Sequence, residues 1–347
     1  METKIEVEEF LKLKEFIPLI DVRTPAEFAQ GHIPGAINIP LFSNDERTVV
    51  GTLYKKSGKE AAILKGLDIV GPKMSSYVKS VKRVAPGGEV LVHCWRGGKR
   101  SGSMSWLFRT AGYKATTMIG GYKAYRGYIR EQFGKEADLV ILGGKTGSGK
   151  SEILRILDES GEQVLDLEAI AHHKGSSFGH IGQEEQPTSE QFENNLYEIW
   201  KNFKLSKPVW LEDESRAIGR VSVPDSLFAS MRNSPVIFID LSLEERVKRL
   251  VKEYAGFEPE SLEKAVLRIS KRLGGQKVKD AIDAIRNKNF AKAVAITLHY
   301  YDKAYLNGLE KRNSENIFKL ELEKDDPAKN ALLVKEFSFR FISNVEK

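Results

Sequence analysis

Twice in this chain an apolar run of strand length stops at a glycine-rich basic loop and gives way to helical sequence, and this arrangement restricts the fold more than any other feature. The first run, Gly88-Glu-Val-Leu-Val-His93, leads into Cys94-Trp95-Arg96-Gly97-Gly98-Lys99-Arg100-Ser101, with a helix read from Ser101 to Ala111. The second, Ala137-Asp-Leu-Val-Ile-Leu142, leads into Gly144-Lys145-Thr146-Gly147-Ser148-Gly149-Lys150-Ser151, with a helix behind it from Glu152. Strands that hand over to helices in this way belong to α/β architectures with mainly parallel sheets. Glycine turns at a strand tip also aim backbone N–H groups and a helix N-terminus at one point, so each loop is expected to hold an anion.

At 347 residues, 41% of them hydrophobic, the chain exceeds one ordinary core, and two domains are expected, residues 1–134 and 135–347. Cys94 is the only cysteine, so there is no internal disulfide framework and no resolving thiol, as suits a reducing cytoplasm. No run of about 18 apolar residues offers a membrane span. The opening Met1-Glu-Thr-Lys-Ile-Glu6 has neither the basic nor the apolar stretch of a signal peptide, so a cytoplasmic protein without a membrane partner is expected. The formal charge of +6 permits a polyanionic partner. Lysine and arginine crowd the cysteine loop and the region from Lys248 to Lys292, which leaves nucleic acid open as that partner beside a basic surface that serves only solubility.

The chemistry is carried by the two loops. Arg96, Lys99 and Arg100 beside Cys94 are expected to favour its thiolate, the form that acts as nucleophile or sulfur carrier; a buried, inert cysteine is the bland alternative. In Gly144 to Ser151 the pattern Gly-x4-Gly-Lys-Ser brings backbone N–H groups to phosphate oxygens, Lys150 adds a point charge, and Ser151 can ligate magnesium. At the end of the apolar run Pro208-Val-Trp-Leu-Glu212, Asp213 is the expected metal-orienting acid, and a solvated strand end is its alternative. His172 and His173 are neighbours in sequence without a supporting Cys or Glu-x-x-His spacing, so no metal site of their own is expected. Val236-Ile-Phe-Ile-Asp-Leu241 reads as the last strand, with the remainder helical and Ser242 capping the next helix. The aromatics from His299 to Tyr305 fit a packed helix seam, or a surface on which bases stack.

Asp21-Val-Arg23-x-Pro25-x-Glu27-Phe28, Gly31-His-Ile-Pro-Gly-Ala-Ile-Asn38 and the cysteine loop before a helix resemble a rhodanese domain, a carrier of sulfur as cysteine persulfide. The Cys94-x5-Arg100 spacing is one residue longer than is usual there and is similar to that of the cell-cycle dual-specificity phosphatases of the same fold, so a phosphatase stays open for this domain alone. Joined to a phosphate-binding loop, the chain resembles the bacterial tRNA 2-selenouridine synthases. The likeness rests on Asn44-Asp-Glu-Arg47, Cys94-x-Arg-Gly-Gly-x-Arg-Ser101, Gly120-Gly-Tyr-Lys-Ala-Tyr-Arg126 and Gly144 to Ser151. It continues through Asp166-Leu-Glu168, His173-x-Gly-Ser-Ser-Phe-Gly179, Leu211-Glu-Asp-Glu-Ser-Arg216 and Lys271-Arg-Leu-Gly274. Lys174 stands where that family more usually has arginine.

The resemblance implies a rhodanese-like parallel-sheet domain followed by an α/β domain like the P-loop NTPases, with a helical C-terminal part. It implies replacement of the sulfur of a wobble 2-thiouridine by selenium through an S-geranyl intermediate. Geranyl diphosphate and selenophosphate would be co-substrates and no cofactor would be tightly held, with magnesium at the P-loop. The partners implied are tRNA and the enzyme that supplies selenophosphate. Cys94 would handle selenium, with Arg96, Gly97, Gly98, Lys99, Arg100 and Ser101 holding the selenophosphate anion. Gly144, Lys145, Thr146, Gly147, Ser148, Gly149, Lys150, Ser151, Asp213 and Arg216 would hold the diphosphate. The alternatives are an ATP-dependent kinase fused to a sulfurtransferase or rhodanese-fold phosphatase, and a non-catalytic rhodanese-like scaffold.

Overall fold

The computed structural model describes residues 3–342. The chain forms two compact units that meet in sequence between Gln132 and Phe133. In the first, five parallel strands run in the order β1-β5-β4-β2-β3. They are β1 Thr3–Ile5, β2 Leu19–Asp21, β3 Ile37–Asn38, β4 Glu89–His93 and β5 Lys114–Met118. The middle strand, β4, is covered on both faces: Val90, Leu91, Val92 and His93 have no exposed surface. This is why its sequence is a continuous apolar run rather than an alternating one.

Local signals set the helix starts. Thr24 caps Pro25–Gln30, with the reciprocal Glu27 contact of a capping box and Pro25 in the first turn. Ser43 and Glu46 make a second such box at the start of Asn44–Val70. That helix bends at Gly58, whose φ is +84°. A short 3-10 turn, Gly71–Lys73, separates it from Met74–Val84.

The second unit holds the parallel sheet β12-β11-β6-β8-β7. Its strands are β6 Leu139–Gly144, β7 Gln163–Leu165, β8 Val209–Glu212, β11 Val236–Leu241 and β12 Ile317–Leu322. A two-stranded ribbon, β9 Ala217–Ile218 with β10 Val221–Ser222, follows β8. The strand Val236–Leu241 is not the last one. Ile317–Leu322 pairs with it along six residues and is followed by the helix Pro327–Ile342. Lys319 and Glu321 give β12 a polar face that suits an edge strand and reads in sequence as surface. Ser242 caps Leu243–Tyr254 as expected. The helices between Pro259 and Leu309 pack on one another around Leu262, Val266, Ala281 and Ile285.

Candidate active sites at two strand tips

The cysteine loop leaves the C-terminal end of β4, the middle strand of its sheet, and Lys99–Thr110 follows as the helix. Cys94 is 3% exposed, and its Sγ lies 3.2 Å from Ser101 Oγ, which also donates to the Gly98 carbonyl at 3.1 Å. Arg100 is paired to Glu27 through contacts of 2.5 and 3.1 Å, whereas Arg96 and Lys99 are exposed at the rim. Beneath the loop, fully buried Arg23 grips the Asp21 carboxylate at 2.6–3.0 Å, donates to the Gly31 carbonyl at 2.7 Å and lies 3.8 Å over the Tyr122 ring. Burial pushes His93, beside Asp21, below the ordinary imidazole range.

The Gly120-Gly121-Tyr122 segment supports this loop from below. Tyr122 and Lys123 N–H groups donate to the Cys94 and Trp95 carbonyls at 2.8 and 2.9 Å. Gly121 has φ +61°, and a Cβ there would come within 2.4 Å of the Cys94 carbonyl oxygen. Only glycine fits such an approach. A cavity of about 1430 Å³ opens beside Cys94, with the 44–70 helix as its far wall.

The second loop likewise starts at the C-terminal end of a middle strand, β6, and Gly149, with φ +83°, opens the helix Lys150–Glu159. Lys150 Nζ donates to the Gly144 carbonyl at 2.9 Å, and Ser151 Oγ donates to Glu168 Oε2 at 3.0 Å. Glu168 and Glu214 face the loop side by side. Burial raises both carboxyls, and the neighbouring Glu168 charge helps push Glu214 up to about 8. Burial also raises Glu212, whose Oε2 accepts from the Leu167 N–H at 3.1 Å.

The expected phosphate-binding residues do not all converge. Gly144 and Thr146 to Ser151 line one cavity of about 310 Å³, together with Asp213. Lys145 turns away to Asp240 at 3.1 Å. Both oxygens of Asp213 are taken, by Tyr305 Oη at 2.9 Å and Arg312 Nη2 at 2.5 Å; Tyr305 Oη also accepts from the Gly144 N–H at 2.9 Å. The acid beside Ser151 is therefore Glu168, with Asp213 bracing the strand end. Arg216 lies outside the cavity lining, paired to Asp225 at 2.5 Å with 61% of its side chain exposed.

The arginine next to the loop is Arg249, held by Glu152 and by Asp325 at 2.5 Å, with its guanidinium 3.2–3.6 Å from where a Gly149 Cβ would stand. Its sequence signals are its place on the helix after the Ser242 cap and within the basic region from Lys248 to Lys292. Past the loop the cavity continues between helices as an apolar recess walled by Leu250, Leu262, Val266, Ile285, Phe290 and Leu298. Tyr301 closes one side, accepting from the Ser177 N–H at 3.0 Å. The aromatic stretch is thus a packed seam that ties the C-terminal helices to the loop.

Comparison with known proteins agrees with both halves of this geometry. Residues 5–128 match the rhodanese-like domain, and residues 137–326 match the tRNA 2-selenouridine synthase AAA domain. The chain is 34% identical to the tRNA 2-selenouridine synthase of Nitrosomonas europaea, over 87% of this chain and 91% of that one. It is 37% identical to that of Bdellovibrio bacteriovorus, over 87% and 92%. It is 36% identical to that of Bordetella petrii, over 87% and 89%. Two domain matches in this order, and relatives matched over nearly their whole length, place the chain in the tRNA 2-selenouridine synthase family.

Proposed function

We propose that this chain exchanges the sulfur of a wobble 2-thiouridine in tRNA for selenium in two steps, one at each loop. In the first, the thiocarbonyl sulfur attacks C1 of geranyl diphosphate, the C1–O bond breaks, diphosphate leaves and a proton departs from N3. Alkylation turns a poor leaving group into a good one. In the second, water cleaves the P–Se bond of selenophosphate to give phosphate and a selenium nucleophile. This adds at C2, the C2–S bond breaks, and geranylthiol leaves with a proton while N3 is reprotonated.

The observation that carries this reading is the shape of the 310 Å³ cavity: a phosphate cradle at one end and a wall of Leu262, Val266, Ile285 and Phe290 at the other. A prenyl diphosphate is that combination of dianion and hydrocarbon. A nucleotide would set a polar ribose against the apolar wall. Lys150, freed from the Gly144 carbonyl, and Arg249 would meet the diphosphate. Ser151 Oγ and Glu168 fit a magnesium ion, which would offset the charge of the leaving group. At the other loop Cys94, with Ser101 and the exposed Arg96 and Lys99, would receive selenophosphate. Basic surface serves the RNA, so binding weakens as salt rises. The reaction belongs in the cytoplasm, alongside tRNA and an enzyme that supplies selenophosphate. Among the described residues no helix is long and apolar enough to cross a membrane.

The test is nucleoside analysis of 2-thiouridine RNA incubated with the protein, geranyl diphosphate and selenophosphate. S-geranyl-2-thiouridine should appear first and 2-selenouridine after it, and leaving out geranyl diphosphate should abolish both. Selenouridine formed at an undiminished rate without geranyl diphosphate, or only on addition of ATP, would overturn the reading.

A further inference from the structure

The cavity beside Cys94 is far larger than a selenophosphate anion needs, and its wall is of the wrong kind for one. Its volume is about 1430 Å³, and the 44–70 helix and the 99–110 helix give it an apolar lining of residues that include Tyr54, Ile63, Leu67 and Trp106. Several of these lie open to water: Leu67 is 62% exposed, Tyr54 60% and Trp106 55%. Contiguous exposed apolar side chains of this kind mark a binding surface. The rim has the opposite character, since Arg47, Lys55, Lys59, Arg96 and Lys99 line the same cavity, and its one acid, Glu27, is already paired to Arg100. Apolar floor, cationic rim and thiol together call for a ligand that is polyanionic, carries a hydrocarbon chain and presents a reacting carbon close to where the two meet.

We infer that this groove binds the geranyl chain of the S-geranylated nucleotide during selenium exchange, with the RNA backbone on the basic rim and the pyrimidine at Cys94. The inference rests on the two-step reading above and extends it. The hydrocarbon that occupies the recess of the second unit as a diphosphate ester has a second apolar seat, in the first unit, once it is a thioether on the RNA. The groove thereby selects the alkylated over the unalkylated nucleoside at the thiol, because only the former covers Leu67, Ile63 and Trp106.

The probe is an anticodon stem-loop RNA carrying S-geranyl-2-thiouridine, compared with the same RNA carrying 2-thiouridine, both given to the full-length protein. The readouts are Kd and the single-turnover rate of selenium exchange. Leu67→Glu should weaken binding of the geranylated RNA and slow its exchange by about tenfold, the value of one buried leucine, while Kd for the thio-RNA moves less than twofold. Leu67→Met should behave as the parent, which separates loss of the apolar seat from loss of the fold. Unchanged binding and exchange in both Leu67→Glu and Trp106→Ala would overturn the groove assignment. So would a shift in oligomeric state with Leu67→Glu that leaves geranylated RNA unaffected, since the face would then join two copies of the chain. Geranyl transfer onto the thio-RNA, measured separately, reports on the parent reading: its absence from the wild type removes that reading and this one together, whereas its presence with a silent Leu67→Glu removes only this one.

Discussion

The two loops occupy the same place in their sheets, the C-terminal tip of the middle of five parallel strands, yet their surroundings are opposite in charge. Around Cys94 the buried Asp21 carboxylate is offset by Arg23, burial pushes His93 below the ordinary imidazole range, and Arg96 and Lys99 remain outside for a ligand. Around Lys150 the neighbours are carboxyls, Glu168 and Glu214, and burial raises the pKa of both. The first tip is suited to receiving an anion on its exposed cationic side chains. The second draws Lys150 back to its own Gly144 carbonyl and would have to rearrange its charges to receive a phosphate group. A strand tip supplies the geometry of an anion site, and what packs beneath it decides the chemistry.

The sharpest way to break this comparison is to remove one loop's key atom and look for damage at the other. Cys94→Ala should lower selenium exchange on pre-geranylated RNA by about 10²–10³-fold and leave geranyl transfer intact; Lys150→Ala should do the reverse by a similar factor. Nucleoside analysis of each half-reaction reads both. If either variant abolished both half-reactions while still folded, the division of labour would be wrong.

Next in size is Gly121→Ala. Its Cβ would meet the Cys94 carbonyl oxygen at 2.4 Å in a left-handed backbone, so the first unit should lose about 1–3 kcal/mol of stability and selenium exchange should fall with it. Thermal unfolding followed alongside both half-reactions tests this. Geranyl transfer falling as much as selenium exchange would show that the second unit depends on the first.

How much of this could be read from the residues divides along the same line. The cysteine loop, the phosphate loop and their helices are each one continuous stretch, so an apolar run ending in glycines disclosed each of them. Residues that reach a loop from far along the chain were not disclosed. Glu168 lies in the short helix after β7 and Glu214 follows β8, both inside motifs that gave them no role at the loop; Arg249 lies in the basic stretch read for nucleic acid, and Tyr305 in the aromatic stretch, 161 positions from Gly144. Asp213 looked like the free acid because nothing in its neighbourhood of sequence announces Arg312, 99 positions on. Arg216 looked available for the same reason. The apolar recess needs four helices to exist, and periodicity shows each helix face without showing what it faces.

The raised Glu214 carboxyl makes a smaller, purely thermodynamic prediction. A carboxyl whose pKa is about 8 in the folded protein and ordinary when unfolded favours folding below the unfolded value, and that contribution is lost as pH rises through the folded one. Stability should therefore decline from pH 5 to pH 8. Glu214→Gln should flatten the decline and raise Tm at pH 8 by about 2–4 °C. A variant whose Tm follows pH in parallel with the parent would show that burial does not hold the Glu214 carboxyl neutral in this way. No corresponding decline is expected from Asp21, which Arg23 keeps ionised.

The smallest effect is expected at Arg216, and it sharpens the comparison because sequence alone favoured that residue for phosphate. Its guanidinium is 61% exposed and bound to Asp225, itself 78% exposed, so the pair is worth little and lies outside the cavity lining. Arg249 is 12% exposed and stands over Gly149 at the mouth of the loop. Arg249→Ala should weaken geranyl diphosphate binding about tenfold, as loss of a charge-assisted phosphate contact does, whereas Arg216→Ala should shift its Kd less than twofold. Isothermal titration of both variants with geranyl diphosphate decides it. A large loss at Arg216 would mean that the β8–β9 turn swings toward the ligand on binding, and the second strand tip would then be assembled by the substrate rather than in advance of it.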